Sequence, residues 1–280
     1  LCPRNCNKNR IEGNPGTCQS TAALEISSFH PHFGEEAPLI GTHGSGTIFF
    51  THCSLRCIFC MNWEISIGGI GKPCNLEYLA DIMLQLQDIG CHNINVVTPT
   101  HYSPHILLAL DIAAENGLQI PIVYNTCGYE RIEILKLLDG IVDIYLPDFK
   151  YADANMAYTY SSGANNYTEY SQKALLEMHR QVGDLITDES GIARRGLLVR
   201  HLVLPHGLAG TREIMRFIAN KISSNTYVNI MPQYRPCGRA SEIKELSDYL
   251  SQKDYQAALQ EAREEGIERL DSRKRRFMFL

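Results

Sequence analysis

The sequence predicts an α/β fold: a partial (β/α)6 barrel of the TIM type, with an irregular cysteine-rich N-terminal extension and a C-terminal helix. Two observations predict it. Apolar, β-branched runs alternate with amphipathic stretches from about Gly46 to Leu250, which is the rhythm of a parallel sheet covered by helices. Six such strand–helix units are present, close to three quarters of the ~250 residues of a complete eight-unit barrel. A doubly wound open sheet satisfies the same rhythm, because periodicity does not report closure.

The strand runs are GTIFFT (46–51), NINVVT (93–98), IPIVYN (120–125), IVDIYLP (141–147), GLLVRHLVLP (196–205) and YVNIMP (227–232). Between them, Leu76–Ile89 places Leu79, Ile82, Met83 and Leu86 on one face, and Pro104–Glu115 and Thr211–Lys221 repeat that period. Asn75, Ser103 and Thr211 are suited to N-caps, and Gly90 and Gly117 to helix stops. Residues 1–45 are rich in Cys, Gly, Pro and His and read as an extension with little regular structure. Residues 46–252 form the barrel. Residues 253–280 hold a last helix (254–265, stopped at Gly266) and a basic-then-apolar tail, DSRKRRFMFL, which reads as a solvated end packing back onto the barrel. The polar, Tyr- and Asn-rich stretch Asp153–Thr168 reads as a long loop near the site.

Composition bounds the function. A charge of −5 over 280 residues argues against nucleic acid or an anionic membrane as partner. No apolar run approaches the roughly 20 residues of a membrane helix. The polar start LCPRNCNKNR is not a secretory signal, and the lack of an initial Met suggests a chain that begins inside a longer product. Six of the ten cysteines fall in two clusters. In a chain with long core-forming segments, such clusters read as metal or redox sites in a reducing, cytoplasmic compartment.

The chemistry is carried by C-S-L-R-C-I-F-C, Cys53 to Cys60, directly after the first of the six strands. One loop with Cys53, Cys57 and Cys60 can wrap a cubane but offers only three thiolates, whereas ferredoxins use a fourth. One iron is then left open, the arrangement of a reactive rather than a structural centre. In a barrel this loop lies at the C-terminal face, where catalytic groups gather. The alternative is a zinc knuckle completed by His43 or His52.

The motif resembles the signature of the radical S-adenosylmethionine (SAM) superfamily, and most closely the branch of pyruvate formate-lyase activating enzyme and other glycyl-radical-enzyme activases. Asp148-Phe149-Lys150 resembles that branch's D-x-K, Asn125-Thr126-Cys127-Gly128-Tyr129 its D/T-T-N-G segment, and Arg200 to Pro205 its R-Y-V-V-V-P strand. The resemblance implies a [4Fe-4S] cluster and S-adenosyl-L-methionine. Reductive cleavage would give methionine and a 5′-deoxyadenosyl radical that abstracts hydrogen from a substrate. It also implies an electron donor such as flavodoxin or ferredoxin, and the activase mode implies a protein substrate. Phe59 and Met61 are placed at the adenine, Asn125 and Arg200 at the polar part of the cofactor, and Asp148 and Lys150 at its ribose and carboxylate. Asp148, Asn125 and Thr126 are candidates for a monovalent cation. The chain departs from the branch after the second strand, where Thr98-Pro99-Thr100 replaces a Gly-Gly-Glu turn. Thr98 and Thr100 are the candidates to take its hydrogen bonds.

Simpler readings stand beside these. Asp148–Lys150 alone is also a surface ion pair, Arg200 a barrel-interior residue and His201 a satisfied strand histidine. Cys2, Cys6 and Cys18, with Gly13, Pro15 and Gly16 between them, look like a knuckle around a second metal (zinc or iron), or else three thiols packed under the barrel. In similar segments of the activases' relatives another cysteine lies three residues before Cys2. The competing function is a non-catalytic iron–sulfur electron carrier or a zinc-stabilised binding module.

Overall fold

The computed structural model describes residues 1–271, so the expected packing of the tail lies, apart from Asp271, outside the described residues. The chain opens its sheet with β1 (Leu24–His32), followed by the short helix α1 (Ala37–Ile40) and β2 (Ser45–Phe50). After the cysteine loop come α2 (Trp63–Ser66) and the three-residue β3 (Lys72–Cys74). Three strand–helix units follow: α3 (Leu76–Asp88) into β4 (Ile94–Val97), α4 (Ser103–Glu115) into β5 (Ile122–Thr126), and α5 (Ile132–Leu137) into β6 (Ile144–Pro147). Two helices, α6 (Ala154–Tyr160) and α7 (Tyr167–Val182), precede β7 (Ile186–Thr187) and the long β8 (Ala193–Leu202). Then α8 (Thr211–Phe217) leads to β9 (Tyr227–Met231), and α9 (Gln252–Glu264) to β10 (Arg269–Leu270).

The sheet runs β10-β9-β8-β6-β5-β4-β2-β1-β3. Along this path every neighbour from β2 to β10 is parallel; β1 and β3 are antiparallel additions at one edge, and the two-residue β7 pairs antiparallel with β8 off the path. The two ends of the path do not pair, so the barrel is incomplete. The parallel strands are largely buried on both faces, as parallel sheets covered by helices are, with polar residues such as Asn125, Arg200 and Asn229 toward their carboxyl ends. Alternate residues divide between a large core under the helices (Ile48, Val96, Tyr124, Tyr145, Leu197, Val228) and a small one holding Val123, Ile144, Leu146 and Leu198. Among the described residues no helix is long and apolar enough to cross a membrane.

Two expectations are corrected. The extension is not without regular structure, because β1 pairs with β2 over six positions and joins the main sheet. Its alternation was masked by histidines: Leu24 and Ile26 are buried, while His30 stacks on Phe49 and His32 meets the same ring edge-on. The stretch 153–168 is not a loop but mostly α6 and the start of α7. Asp153 caps α6 by accepting from the amide of Asn155 (2.7 Å), and Ala157, Tyr160, Ala164 and Tyr167 are its buried, helix-spaced contacts. Of the expected caps, Asn75 accepts from the amide of Tyr78 (2.8 Å). Ser103 is instead the first residue of α4, donating back to Thr100 O (2.9 Å), because a 3-10 turn over Thr100–Tyr102 runs straight into the helix. Thr211 likewise opens α8, and its hydroxyl is spent on His201.

Candidate active site

The strands end on one cavity of about 370 Å³. Cys53, Cys57 and Cys60 line it, together with Phe59, Met61, Thr98, Asn125, Asp148, Lys150 and Arg200. These residues come from the ends of β2, β4, β5, β6 and β8, separated by up to 147 positions in sequence yet gathered by parallel registry (200 − 53). Thr100 is the exception. It is fully buried below the cavity and donates to Glu130 Oε1 (2.6 Å).

Each sulfur of the loop meets a hydrogen-bond donor. Leu55 N lies 3.4 Å from Cys53 Sγ, Ser161 Oγ 3.1 Å from Cys57 Sγ, and Ser66 Oγ 3.2 Å from Cys60 Sγ. Donors of this kind stabilise thiolate and set the potential of a bound cluster. The thiol of Cys127 bonds to Cys53 and, with the amides of Arg56 and Leu55 outweighing burial, holds Cys53 below the ordinary thiol range. Burial pushes Cys57 up to about 12 and raises Cys60 as well. A soft metal group bound there would reverse that penalty, since it binds thiolate.

The polar wall is built from paired charges. Lys150 Nζ donates to Asp148 Oδ2 (2.6 Å). Burial disfavours the Lys150 charge, but Asp148 and Cys57 outweigh it and hold the ammonium protonated. Arg200 is clamped by Glu36, with Nε to Oε1 at 2.8 Å and Nη2 to Oε2 at 2.7 Å, and also meets Glu35. Asn229 donates to the same Glu36 Oε1 (2.5 Å), and Arg200 Nη1 reaches Asn125 Oδ1 at 3.4 Å. Thr126, a candidate for a cation site with Asn125 and Asp148, gives its hydroxyl to Glu130. His201 is a structural pin: Nδ1–H donates to Phe149 O (2.8 Å), so Nε2 accepts from Thr211 (2.9 Å).

Two backbone features fix this mouth. Thr98, directly after β4, has φ 60, a left-handed conformation that is costly for a β-branched residue and typical of functional sites. Gly128 has φ +75, and a Cβ there would stand 2.2 Å from Asp148 O, so only glycine lets β5 and β6 end side by side.

Several site residues escaped the sequence. Glu35 lines the cavity from the extension, and the fully buried Glu36 positions Arg200 from the same turn. Ser161 and Ser66 serve the sulfurs, and Cys127 supplies a fourth thiol to the wall. Only Cys127 carried a signal, its place directly after a strand. His52 and His43, the candidates to complete a zinc knuckle, are engaged elsewhere: His52 Nε2 with Glu25 (3.1 Å) and His43 Nδ1 with Thr42 (2.9 Å).

An incomplete parallel α/β barrel with a three-cysteine loop at the carboxyl ends of its strands defines a class of iron–sulfur enzyme scaffold. The model of the radical SAM superfamily matches residues 47–188, and the chain belongs to that superfamily. It is 32% identical over 278 residues to the uncharacterized protein MJ0674 of Methanocaldococcus jannaschii, covering 96% of this chain and 75% of that one. Two solved structures share the fold. One is HydG, a maturase of the [FeFe]-hydrogenase (TM-score 0.54, 14% identity, 77% of this chain and 48% of that one). The other is the methylornithine synthase PylB (TM-score 0.51, 16% identity, 76% of this chain and 60% of that one). Membership makes the chain a radical SAM enzyme, with a [4Fe-4S] cluster and S-adenosylmethionine as the family's cofactors. The residues fit that pair: three thiols with donors at each sulfur would hold the cluster, and the cavity beyond them carries polar and apolar walls for the second cofactor.

Proposed function

We propose that this chain cleaves S-adenosylmethionine reductively and directs the resulting hydrogen abstraction at a protein or peptide, in the manner of the glycyl-radical-enzyme activases. The observation that carries the reading is the meeting of Cys53, Cys57 and Cys60 with Asn125, Asp148, Lys150 and Arg200 on one cavity. When bound, the two cofactors supply the one-electron chemistry that yields a hydrogen-abstracting radical. The chain's own part is to hold and orient. Cys53, Cys57 and Cys60 would hold the cluster as its three thiolate ligands. Lys150, kept protonated by Asp148, offers a cation to a carboxylate, and Asn125 and Thr98 offer neutral polar groups. Phe59, which is buried, and Met61, which is 43% exposed, form an apolar side suited to a base. Met61 and Trp63 (47% exposed) also leave apolar surface beside the cavity, which suits a polypeptide. The electron would come from a small carrier of the flavodoxin or ferredoxin class.

The test is anaerobic reconstitution with iron and sulfide, followed by dithionite and S-adenosylmethionine. Formation of 5′-deoxyadenosine is expected. A fully loaded cluster that leaves the cofactor intact contradicts the reading and favours an electron carrier. Deuterium passing from a labelled peptide into 5′-deoxyadenosine would establish the substrate class.

A further inference from the structure

The N-terminal segment holds three thiols that the cavity does not use. Cys6 and Cys18 approach each other at Gly16, where a Cβ would lie 3.2 Å from one Sγ and 3.5 Å from the other. Cys18 also interacts electrostatically with Cys2, with Cys6, and with Cys53 of the cluster loop. The segment is bolted to that loop. The Arg4 guanidinium donates to Ser54 O (2.8 Å), Leu55 O (3.0 Å), Ser161 O (2.6 Å) and Ser162 O (2.6 Å), and Arg56 reaches Cys18 O (3.3 Å).

The local backbone treats these thiols as it treats the cluster ligands. Amides two residues on donate to the sulfurs: Arg4 to Cys2, Lys8 to Cys6 and Ser20 to Cys18, just as Leu55 does to Cys53 and Asn62 to Cys60. Cys6 gains a second amide from Thr17. Cys74 and Cys91, by contrast, use their S–H as donors to carbonyls. Among the described residues, eight non-glycine positions have positive φ, and five of them adjoin a cysteine of the two clusters: Asn5 and Asn7 beside Cys6, Gln19 beside Cys18, His52 beside Cys53, Arg56 beside Cys57. A left-handed residue swings neighbouring amides toward one point, forming a nest for an anionic ligand atom. Its conformational cost is retained where a function over-determines it. Neither trio, as it stands, converges tightly enough to grip a single ion. The two loops thus share their amide donors and left-handed residues, and Cys2 and Cys6 repeat the gap of Cys53 and Cys57, while Cys18 lies much farther along the chain than Cys60 does.

We infer that Cys2, Cys6 and Cys18 form a second, thiolate-ligated metal centre, for zinc or iron, docked on the cluster loop outside the substrate cavity. The inference stands on the knuckle's own geometry and does not depend on the substrate proposed above.

The probe is cobalt(II), added anaerobically to the full chain carrying Cys53→Ala, Cys57→Ala and Cys60→Ala. One equivalent is expected to bind with thiolate-to-cobalt charge-transfer absorption, and Cys6→Ser or Cys18→Ser in the same background is expected to abolish that band. No such band, or a band that survives Cys6→Ser with Cys18→Ser, overturns the inference. A second measurement covers variants that fold poorly. In the otherwise intact chain, Cys6→Ser should lower bound metal by the knuckle's share, while the iron and sulfide held by Cys53, Cys57 and Cys60 remain. An unchanged metal content, or a Cys6–Cys18 disulfide in metal-free protein isolated anaerobically, overturns it. Metal analysis of the wild-type chain separates zinc from iron.

Discussion

Cys53, Cys57 and Cys60 sit where β2 ends and face a cavity of about 370 Å³; Cys2, Cys6 and Cys18 press on the same loop from outside that cavity. Both trios take amide donors from two residues ahead, and both rest on left-handed residues beside their cysteines. They differ in what lies beyond the sulfurs. The first has polar groups from β4, β5, β6 and β8 within one cavity, and the second has Arg4, Arg10 and backbone carbonyls. Similar thiol chemistry would therefore serve two ends: a reactive centre needs a cavity at the strand ends, whereas the metal centre inferred for the second trio needs only a well-anchored loop.

The sharpest way to break the comparison is one substitution in each trio. Cys57→Ala should reduce 5′-deoxyadenosine formation to background, whereas Cys6→Ala should keep the chemistry and lose stability or metal. Equal loss in both would merge the two sites into one, and full cleavage by Cys57→Ala would remove the mechanism.

Next in size is the staple between the trios. Arg4→Ala removes four charge-assisted bonds to carbonyls and should cost about 2–3 kcal/mol in denaturant unfolding. Arg4→Lys should recover little, because an ammonium cannot span that fork. Recovery by lysine would mean that charge, not geometry, holds the segment.

Comparable in size is a buried acid between the loops. Burial pushes the Glu130 carboxyl up to about 7, and its Oε2 has no partner among the described residues. The fold therefore holds the proton more tightly than the unfolded chain. This group makes stability fall as pH rises from about 4.5 to about 7. Glu130→Gln keeps acceptors for Thr100 and Thr126 without the charge, so its advantage over the wild type should grow across that window, by on the order of 2–3 kcal/mol. A constant difference between pH 4.5 and pH 8 would contradict the assignment.

The smallest effect sharpens the first trio. Ser161→Ala deletes the donor to Cys57 Sγ. One hydrogen bond is worth about 1 kcal/mol, or roughly 40 mV for a one-electron couple, so the cluster potential should become more negative by that order. Redox titration checks it, and an unchanged potential would mean the serine does not reach the reduced cluster.

Much of this was legible in the sequence, for reasons that differ by element. The six parallel strands are buried on both faces, so they read as continuous apolar runs that need no partner to be seen. The cysteine loop was legible because its spacing is local. β1 escaped because histidines occupy its half-buried face, and α6 because tyrosine and asparagine hide its period. Arg4, Glu36 and Ser161 had no signal at all. Each acts on a partner 50 or more residues away: Arg4 on Ser54, Glu36 on Arg200, Ser161 on Cys57. Thr100 was misplaced by its neighbour: Thr98 at φ 60 turns the chain, and Thr100 drops into the core beside Glu130.

The central claim is that only Cys53, Cys57 and Cys60 ligate the cluster, although Cys127 stands beside them. Electron–nuclear double resonance on the reduced cluster, with S-adenosylmethionine labelled at its amino nitrogen and carboxylate, tests it directly. Hyperfine coupling to both labels in the wild type, unchanged in Cys127→Ala, is the predicted result. Coupling that is absent in the wild type and emerges only in Cys127→Ala would show a fourth sulfur in the open position and contradict the account.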